Sequence, residues 1–139
     1  MKNQNRQKVL FLCTHNSARS QIAEGLLRHL AGDTYQVFSA GTEQTFVRPQ
    51  AIQVMAEVGI DISKQESKTL EQYLQDSFDE VVTVCDDANE ACPVFPNATH
   101  RRHWSFPDPS QAKGTEDEQL QVHRAVRDAI QQKIEEELL

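Results

Sequence analysis

The sequence predicts a single α/β domain over residues 1–139, with a four-stranded parallel sheet and helices on both faces. Short apolar runs at 8–12 and 80–84 are typical of buried parallel strands, and each is followed by a cysteine. Elsewhere apolar residues recur at three- and four-residue steps, which is the pattern of amphipathic helices. Strands that alternate with helices favour parallel pairing through right-handed crossovers.

Local signals mark the ends of the elements in the first half of the chain. Gly32 and Gly59 each end a helix, because glycine is favoured just past a helix C-terminus. Pro49 suits a first helical turn, and Ser67 suits an N-cap. The predicted elements are a strand over 8–12, a helix over 18–31, a strand over 35–39, a helix from 49 to 58, an extended link over 60–63 and a helix over 67–74.

The second half is predicted to contain two strands and a long final helix. Thr115 and Glu118 have the spacing of a capping box. The predicted elements are a strand over 80–84, a short helix over 87–92, a strand over 101–104, a loop over 105–114 and a helix that ends at 137. The residues expected on the buried side of this last helix are Val122, Val126, Ala129, Ile130 and Ile134.

Composition excludes several classes of protein. The formal net charge of -7 argues against a general nucleic-acid binder, which would usually be basic. No apolar run approaches the ~20 residues of a membrane span, and the N-terminal segment lacks the apolar stretch of a signal peptide. We therefore expect a cytoplasmic protein without a membrane or nucleic-acid partner. Its three cysteines suit reactivity better than a structural disulfide framework.

The segment Cys13–Ser20 is the strongest candidate for a functional site. It joins a buried strand to a helix, and open α/β sheets bind ligands at that position. Loop N–H groups and the helix N-terminus attract anions, and they also favour the thiolate form of a cysteine beside an arginine. We predict that Cys13 is a nucleophile and that the loop holds an oxyanion. The residues expected to hold it are Thr14, His15, Asn16, Ser17, Ala18, Arg19 and Ser20.

The positions of Cys85 and Cys92 in the sequence indicate where their sulfur atoms can lie. If the first and third strands are neighbours, Cys13 and Cys85 emerge at the same sheet edge. Cys85 and Cys92 are seven positions apart, which corresponds to about 10.5 Å along a helix axis. A disulfide requires Cα atoms within roughly 7 Å. A Cys85–Cys92 disulfide would therefore require residues 86–91 to unwind or loop out.

The Cys-x5-Arg-Ser loop resembles that of the low-molecular-weight protein tyrosine phosphatase fold family. The chain is more closely similar to the thioredoxin-coupled arsenate reductases that are built on that fold. Four features that span residues 10–109 carry the resemblance: Cys13-Thr14-His15-Asn16-Ser17-Ala18-Arg19-Ser20-Gln21, Ser39-Ala40-Gly41, Val82-Thr83-Val84-Cys85 with Cys92-Pro93, and His103-Trp104-Ser105-Phe106 with Asp108-Pro109.

The resemblance implies a mechanism and a set of partners. Cys13 would attack arsenate, for which phosphate or sulfate is a mimic, while Asp108 protonates the departing oxygen. Cys85 would attack the Cys13 sulfur, which releases arsenite, and Cys92 would then attack Cys85. Thioredoxin, or alternatively glutaredoxin, would reduce the resulting Cys85–Cys92 disulfide. This mechanism requires no metal, flavin or nicotinamide on the chain, and we expect a monomer.

Two loop residues depart from the phosphatase pattern, and two are expected to order the loop. His15 and Ala18 stand where the family usually has glycine and cysteine, and we expect His15 to point to solvent. Asn16 is expected to adopt a left-handed backbone conformation. Ser20 is expected to donate a hydrogen bond to the Cys13 thiolate.

Some relatives hold a potassium ion near the loop. Asn16, Glu24 and Ser39 match that site, but Lys68 stands where an acidic residue would help. A positive side chain at this position disfavours a bound potassium ion. We therefore expect no metal here.

Three other functions remain open at this point, and the weakest of them is a regulatory module that binds phosphate and retains the cysteine as a relic. A phosphotyrosine phosphatase would use the same nucleophile, arginine and acid, but aromatic residues usually follow its Asp-Pro, whereas Ser110 and Gln111 follow here. A sensor that binds arsenite or a soft metal through three thiols would suit the cysteines. That sensor would need neither Arg19 nor Asp108.

Overall fold

A computed structural model describes residues 6–86 and 92–139 as a four-stranded sheet with three α-helices. The strands are β1 (Gln7–Cys13), β2 (Tyr35–Gly41), β3 (Phe78–Thr83) and β4 (Ala98–His103), and the helices are α1 (Arg19–Ala31), α2 (Pro49–Ala56) and α3 (Glu116–Glu137). Two short 3₁₀ helices span Leu70–Tyr73 and Pro109–Gln111. No helix in the described ranges is both long enough and apolar enough to cross a membrane.

The sheet order is β2-β1-β3-β4, and every pairing is parallel, as the sequence predicts. β1 is central: its Cys13 pairs with Gly41 of β2, and its Leu12 pairs with Thr83 of β3. The carboxyl ends of the strands therefore meet at one edge, which brings the segments after Cys13 and Thr83 together.

Both faces of the sheet are covered, because successive side chains of a strand point to opposite faces. Val9 and Phe11 pack into a cluster with residues from all three α-helices. Leu10 and Leu12 pack on the other face with Phe95 and the 3₁₀ helix Leu70–Tyr73. Burial on both sides explains why the inner part of β1 is apolar throughout.

The predicted helix over 67–74 is wrong. Only Leu70–Tyr73 form a 3₁₀ turn, and Ser67 does not cap it. Instead the Ser67 hydroxyl accepts the N–H of Thr45 at 2.8 Å, and the Lys68 N–H binds Asn16 Oδ1 at 2.8 Å. These distant partners hold the backbone extended where the local sequence favours a helix.

The fourth strand and the last helix differ from the predictions in detail. β4 begins at Ala98 rather than at 101, and its polar character fits an edge strand, where charged side chains discourage further pairing. The capping box of Thr115 and Glu118 is confirmed. Val122 and Ala129, however, are exposed, and His123 and Arg127 are buried in their place. The predicted short helix over 87–92 lies, apart from its last residue, outside the described residues.

Glu137 connects the end of α3 to β4. Its carboxylate accepts hydrogen bonds from Lys133 Nζ at 2.8 Å, Trp104 Nε1 at 3.1 Å and Arg102 Nη1 at 3.0 Å. The hydrogen bond from Lys133 contributes most to lowering the pKa of Glu137 to about 2. The ionised carboxylate therefore stabilises the folded state.

Glu137→Gln is expected to lower the free energy of unfolding at neutral pH by about 1 kcal/mol, a value that allows for solvent screening. Because the folded-state pKa is depressed, the effect is present above the unfolded pKa and is lost as pH falls through the folded pKa near 2. Urea unfolding at a series of pH values measures it, with the exposed Glu136→Gln as control. A difference that persists undiminished in strong acid contradicts this assignment.

Candidate active site

Cys13 lies at the carboxyl end of β1 and is 1% exposed. Its Sγ accepts the N–H of Asn16 at 3.2 Å and lies 2.9 Å from the Ser20 hydroxyl, at the start of α1. The sulfur of Cys13 thus lies among hydrogen-bonding groups at the N-terminus of α1, a position that suits a nucleophile. The expected contact between Ser20 and Cys13 is confirmed.

Asn16 organises the loop. Its φ of 49° is the left-handed conformation predicted from the sequence, and the residue is fully buried. The side-chain Nδ2 donates to Ser20 Oγ at 2.8 Å and to Ser39 Oγ at 3.0 Å. Its Oδ1 accepts from Gln21 Nε2 at 2.9 Å and from the Lys68 N–H at 2.8 Å. One side chain therefore connects the loop to α1, β2 and residue 68.

Gln21, the last residue of the Cys13–Gln21 motif, has a structural role that was not predicted. Gln21 is fully buried, and its Nε2 also donates to the Glu66 carbonyl at 2.9 Å. Its Oε1 accepts from Gln65 Nε2 at 2.8 Å. The sequence contained a signal for this role, because a polar residue directly precedes Ile22 on the buried side of α1.

Gly41 lies directly against the loop. A Cβ atom at this position would lie 2.7 Å from the Thr14 carbonyl oxygen and 2.9 Å from the Asn16 nitrogen. The Thr14 carbonyl also accepts the Thr42 N–H at 2.9 Å. The Ser39-Ala40-Gly41 motif therefore ends in glycine because the backbone of the oxyanion loop approaches β2 closely.

Gly41→Ala is expected to displace the loop. The kcat/KM of the reaction at Cys13 should then fall by about a hundredfold, because small misplacements of reacting groups slow a reaction strongly. Gly59→Ala is the matched control. Alanine is strained at position 59 because φ is 80° there, but the added Cβ atom has no neighbour within 4 Å. Steady-state kinetics measure the loss of activity, and thermal unfolding measures the loss of stability. Equal activity losses in both variants would mean that general destabilisation is responsible.

Arg19 and Asp108, which are 89 positions apart, meet beside the loop. Arg19 is 2% exposed, its Nη1 donates to the Phe106 carbonyl at 3.2 Å, and its Nη2 lies 3.7 Å from Asp108 Oδ2. Asp108 Oδ1 accepts from Ser110 Oγ at 2.7 Å and from the Ser110 N–H at 3.0 Å. A buried guanidinium can hold an oxyanion, and a positioned carboxyl can exchange a proton with it.

Cys85 and Cys92 form a disulfide, with Cα atoms 5.8 Å apart, and Cys13 is a free thiol. That separation is well below the about 10.5 Å that one straight helix would impose. Cys85 is fully buried, and its Sγ lies 3.9 Å from the carbonyl of Leu12, the residue before Cys13. The prediction that Cys13 and Cys85 share one sheet edge is confirmed.

Residues 8–138 match the family described as low molecular weight phosphotyrosine protein phosphatase. The chain belongs to this family. An arsenate reductase from Halalkalibacterium halodurans is 47% identical over 130 residues, which cover 94% of each chain. A solved arsenate reductase in the oxidized state has a TM-score of 0.79 at 35% identity, over 94% of this chain and 95% of that one.

A thioredoxin-dependent arsenate reductase from Corynebacterium glutamicum has a TM-score of 0.68 at 27% identity, over 94% of this chain and 61% of that one. Within the phosphatase family, the chain thus belongs with the arsenate reductases.

The two departures from the phosphatase loop have different surroundings. The His15 side chain is 38% exposed, and its Nδ1 lies 3.7 Å from Glu43, on the solvent side as predicted. Its backbone carbonyl accepts from Thr45 Oγ1 at 2.8 Å. Ala18 is 2% exposed, at the start of α1.

Of the three residues that match a potassium site in some relatives, Glu24 is already paired with cationic side chains here. Glu24 Oε1 accepts from Ser39 Oγ at 2.5 Å and lies 3.9 Å from Lys68 Nζ. Glu24 Oε2 accepts from Arg28 Nη2 at 2.6 Å. Burial lowers the pKa of Lys68, although Glu24 opposes this effect. The residues therefore do not fit a potassium ion.

Proposed function

We propose that the protein reduces arsenate to arsenite through a relay of Cys13, Cys85 and Cys92 that an external dithiol regenerates. One observation carries the proposal: a Cys85–Cys92 disulfide lies at the same sheet edge as a buried free thiol in a Cys-x5-Arg loop. An oxyanion loop alone fits either hydrolysis or reduction, and the disulfide favours reduction.

In the first step, the Cys13 thiolate forms a bond to arsenic while one arsenic–oxygen bond breaks. The N–H groups of residues 14–20 and the Arg19 guanidinium hold the remaining oxygens, since guanidinium binds such oxygens in pairs. Asp108 gives a proton to the departing oxygen, which leaves as water. Its contacts with Arg19 and Ser110 hold the carboxyl beside the loop.

In the redox step, the Cys85 thiolate attacks the Cys13 sulfur. The electron pair of the sulfur–arsenic bond stays on arsenic, which falls from the +5 to the +3 state and leaves as arsenite. The two sulfurs are thereby oxidised to a Cys13–Cys85 disulfide. Cys92 then attacks the Cys85 sulfur and expels the Cys13 thiolate, which leaves the Cys85–Cys92 disulfide.

The electron donor we propose is thioredoxin, with glutaredoxin as the alternative. Cys92 is only partly buried and Cys85 is fully buried, so an external thiolate reaches the disulfide at Cys92. The relay returns every sulfur to its starting state without a flavin, nicotinamide or metal on this chain. We propose that the protein acts as a monomer in the cytoplasm.

Two alternatives receive less support. In the described state Cys85 and Cys92 are bonded to each other, so they do not offer thiolates to arsenite or a metal. The position that follows Asp108-Pro109 holds Ser110, whose hydroxyl binds Asp108 rather than presenting an aromatic surface to a phenol. Phosphate ester hydrolysis remains a side reaction that the shared loop could catalyse.

The test is arsenate-dependent oxidation of NADPH in the presence of thioredoxin and thioredoxin reductase. We expect turnover that depends on all three proteins and on arsenate. Replacing thioredoxin with glutaredoxin and glutathione identifies the donor. Hydrolysis of an aryl phosphate without arsenate-dependent NADPH oxidation would instead identify a phosphatase.

We also propose that catalysis does not depend on potassium, because the Lys68 ammonium lies against Glu24. Exchanging potassium for a bulky organic cation at constant ionic strength is expected to leave kcat/KM unchanged. Strong activation by potassium would show that Lys68 moves aside.

A further inference from the structure

The Lys68 ammonium lies beside a buried carboxylate that the mechanism above does not use. Glu24 is buried, and each of its two oxygens faces one cation. Oε2 accepts from Arg28, whose side chain is 48% exposed, whereas Oε1 lies 3.9 Å from Lys68 Nζ, whose side chain is 18% exposed. Lys68 Nζ also donates to the Glu66 carbonyl at 2.5 Å, which fixes the ammonium. Lys68 is therefore the cation of Glu24 that solvent screens less.

The carboxylate oxygen that faces Lys68 sets the direction of the hydrogen bonds that lead to the oxyanion loop. Glu24 Oε1 accepts from the Ser39 hydroxyl at 2.5 Å. A hydroxyl has one hydrogen, so Ser39 can then only accept from Asn16 Nδ2, which lies 3.0 Å away. The ionised Glu24 therefore holds Ser39 in the orientation that receives the Asn16 side chain.

The backbone of residue 68 fixes the other side of the Asn16 amide. The Lys68 N–H can only donate, so the side-chain atom of Asn16 that lies 2.8 Å from it is the oxygen. Nδ2 therefore faces Ser39 and Ser20, and it donates to Ser20 Oγ at 2.8 Å. Ser20 keeps its own hydrogen for Cys13 Sγ, at 2.9 Å. A continuous path of contacts thus leads from the Lys68 ammonium to the nucleophile.

We propose that Lys68 is a positioning residue for the oxyanion loop and that its ammonium acts through Glu24. The proposal rests on the function proposed above, because it concerns the loop that would hold arsenate. The ammonium keeps the buried carboxylate ionised and in place, since a buried charge requires a partner of opposite charge. Glu24 then orients Ser39, and Ser39 orients the Asn16 side chain within the loop.

The experiment is a calorimetric titration of the protein with inorganic phosphate, a tetrahedral oxyanion that probes the loop without turnover. Lys68→Met removes the ammonium but keeps the length of the side chain and the backbone N–H that binds Asn16. We expect the affinity for phosphate to fall about tenfold, because Glu24 loses the cation at the oxygen that accepts from Ser39. Tetramethylammonium is the only buffer cation, since a small ion could replace the missing ammonium.

Two matched variants separate the charge of Lys68 from its shape and from the net charge of the chain. Lys68→Arg keeps a cation and is expected to bind phosphate within about threefold of wild type. Lys64→Met removes the same charge from an exposed side chain four positions away and is expected to bind as wild type does. Thermal unfolding checks that each variant is folded at the temperature of the titration. Lys68→Gln takes the place of Lys68→Met if the latter is not.

The Glu24→Gln background tests whether the ammonium acts through this carboxylate. A neutral amide needs no compensating cation. Lys68→Met is therefore expected to change the phosphate affinity of Glu24→Gln by less than about twofold. An equal loss in both backgrounds would overturn the proposal, because it would show that the ammonium attracts the anion directly.

Equal phosphate affinities in wild type and Lys68→Met would also overturn the proposal. A loss in Lys68→Arg as large as that in Lys68→Met would do the same, since it would mean that the shape of the lysine matters and its charge does not. The titration involves no arsenate and no electron donor. Its outcome is therefore independent of whether the protein reduces arsenate.

Discussion

Cys92→Ser is expected to release one arsenite per protein molecule at the wild-type rate and then to stop. Arsenite forms when Cys85 attacks the Cys13 sulfur, and that step does not use Cys92. Without Cys92 the Cys13–Cys85 disulfide remains at the buried sheet edge, where Cys85 is fully buried and Cys13 is 1% exposed. Reduction by an external thiol then requires access that the fold does not provide. Turnover should fall at least about a hundredfold.

Rapid-quench measurement of arsenite, followed by steady-state NADPH oxidation, separates the two phases. Cys85→Ser is the matched control, because it should block even the first arsenite. Full multiple turnover by Cys92→Ser would mean that the Cys85–Cys92 disulfide lies outside the catalytic cycle. Hydrolysis of an aryl phosphate that only Cys13→Ser abolishes, together with no arsenite from the wild type, would indicate a phosphatase.

Arg19→Lys is expected to reduce kcat/KM for arsenate by about a thousandfold. Arg19 is 2% exposed, and its guanidinium reaches both the Phe106 carbonyl and Asp108. Lysine keeps the charge but has one compact ammonium, so it cannot bind two oxyanion oxygens and also keep these contacts. Arsenate should therefore bind more weakly, and Asp108 should be less well aligned.

Initial rates over a range of arsenate concentrations measure the effect. Arg124→Lys, which alters an exposed ion pair with Glu57, is the control for a general arginine replacement. Comparable activity of Arg19→Lys and wild type would show that the reaction does not require the Arg19 guanidinium.

Several elements were predictable because their signals are local. Thr115 and Glu118 form their capping box within four residues, and the apolar run of β1 identifies a strand that is buried on both faces. The left-handed Asn16 was predictable because asparagine tolerates that conformation in turns. These features depend on neighbours in the sequence.

The errors share a physical cause. Ser67 suits a helix cap locally, but in the fold its hydroxyl binds the Thr45 N–H, 22 positions away. On α3, the buried side was assigned from apolar residues alone, and this missed Arg127, whose Nη1 donates to the Val54 carbonyl at 2.8 Å. In both cases a distant hydrogen-bond partner outweighed a local preference.

Motif and periodicity are local properties, and they suffice to place Cys13 between a buried strand and a helix, with Arg19 six positions further on. The partners of these residues depend on the folded chain. Parallel register placed Cys85 at the edge occupied by Cys13, and it placed Gly41 where a Cβ would strike the loop. Asp108 reached Arg19 through a loop whose path no local pattern specifies. The chemistry of the oxyanion loop could therefore be predicted from the sequence. The proximity of the loop to the two distant sulfurs follows from the order and register of the strands in the sheet.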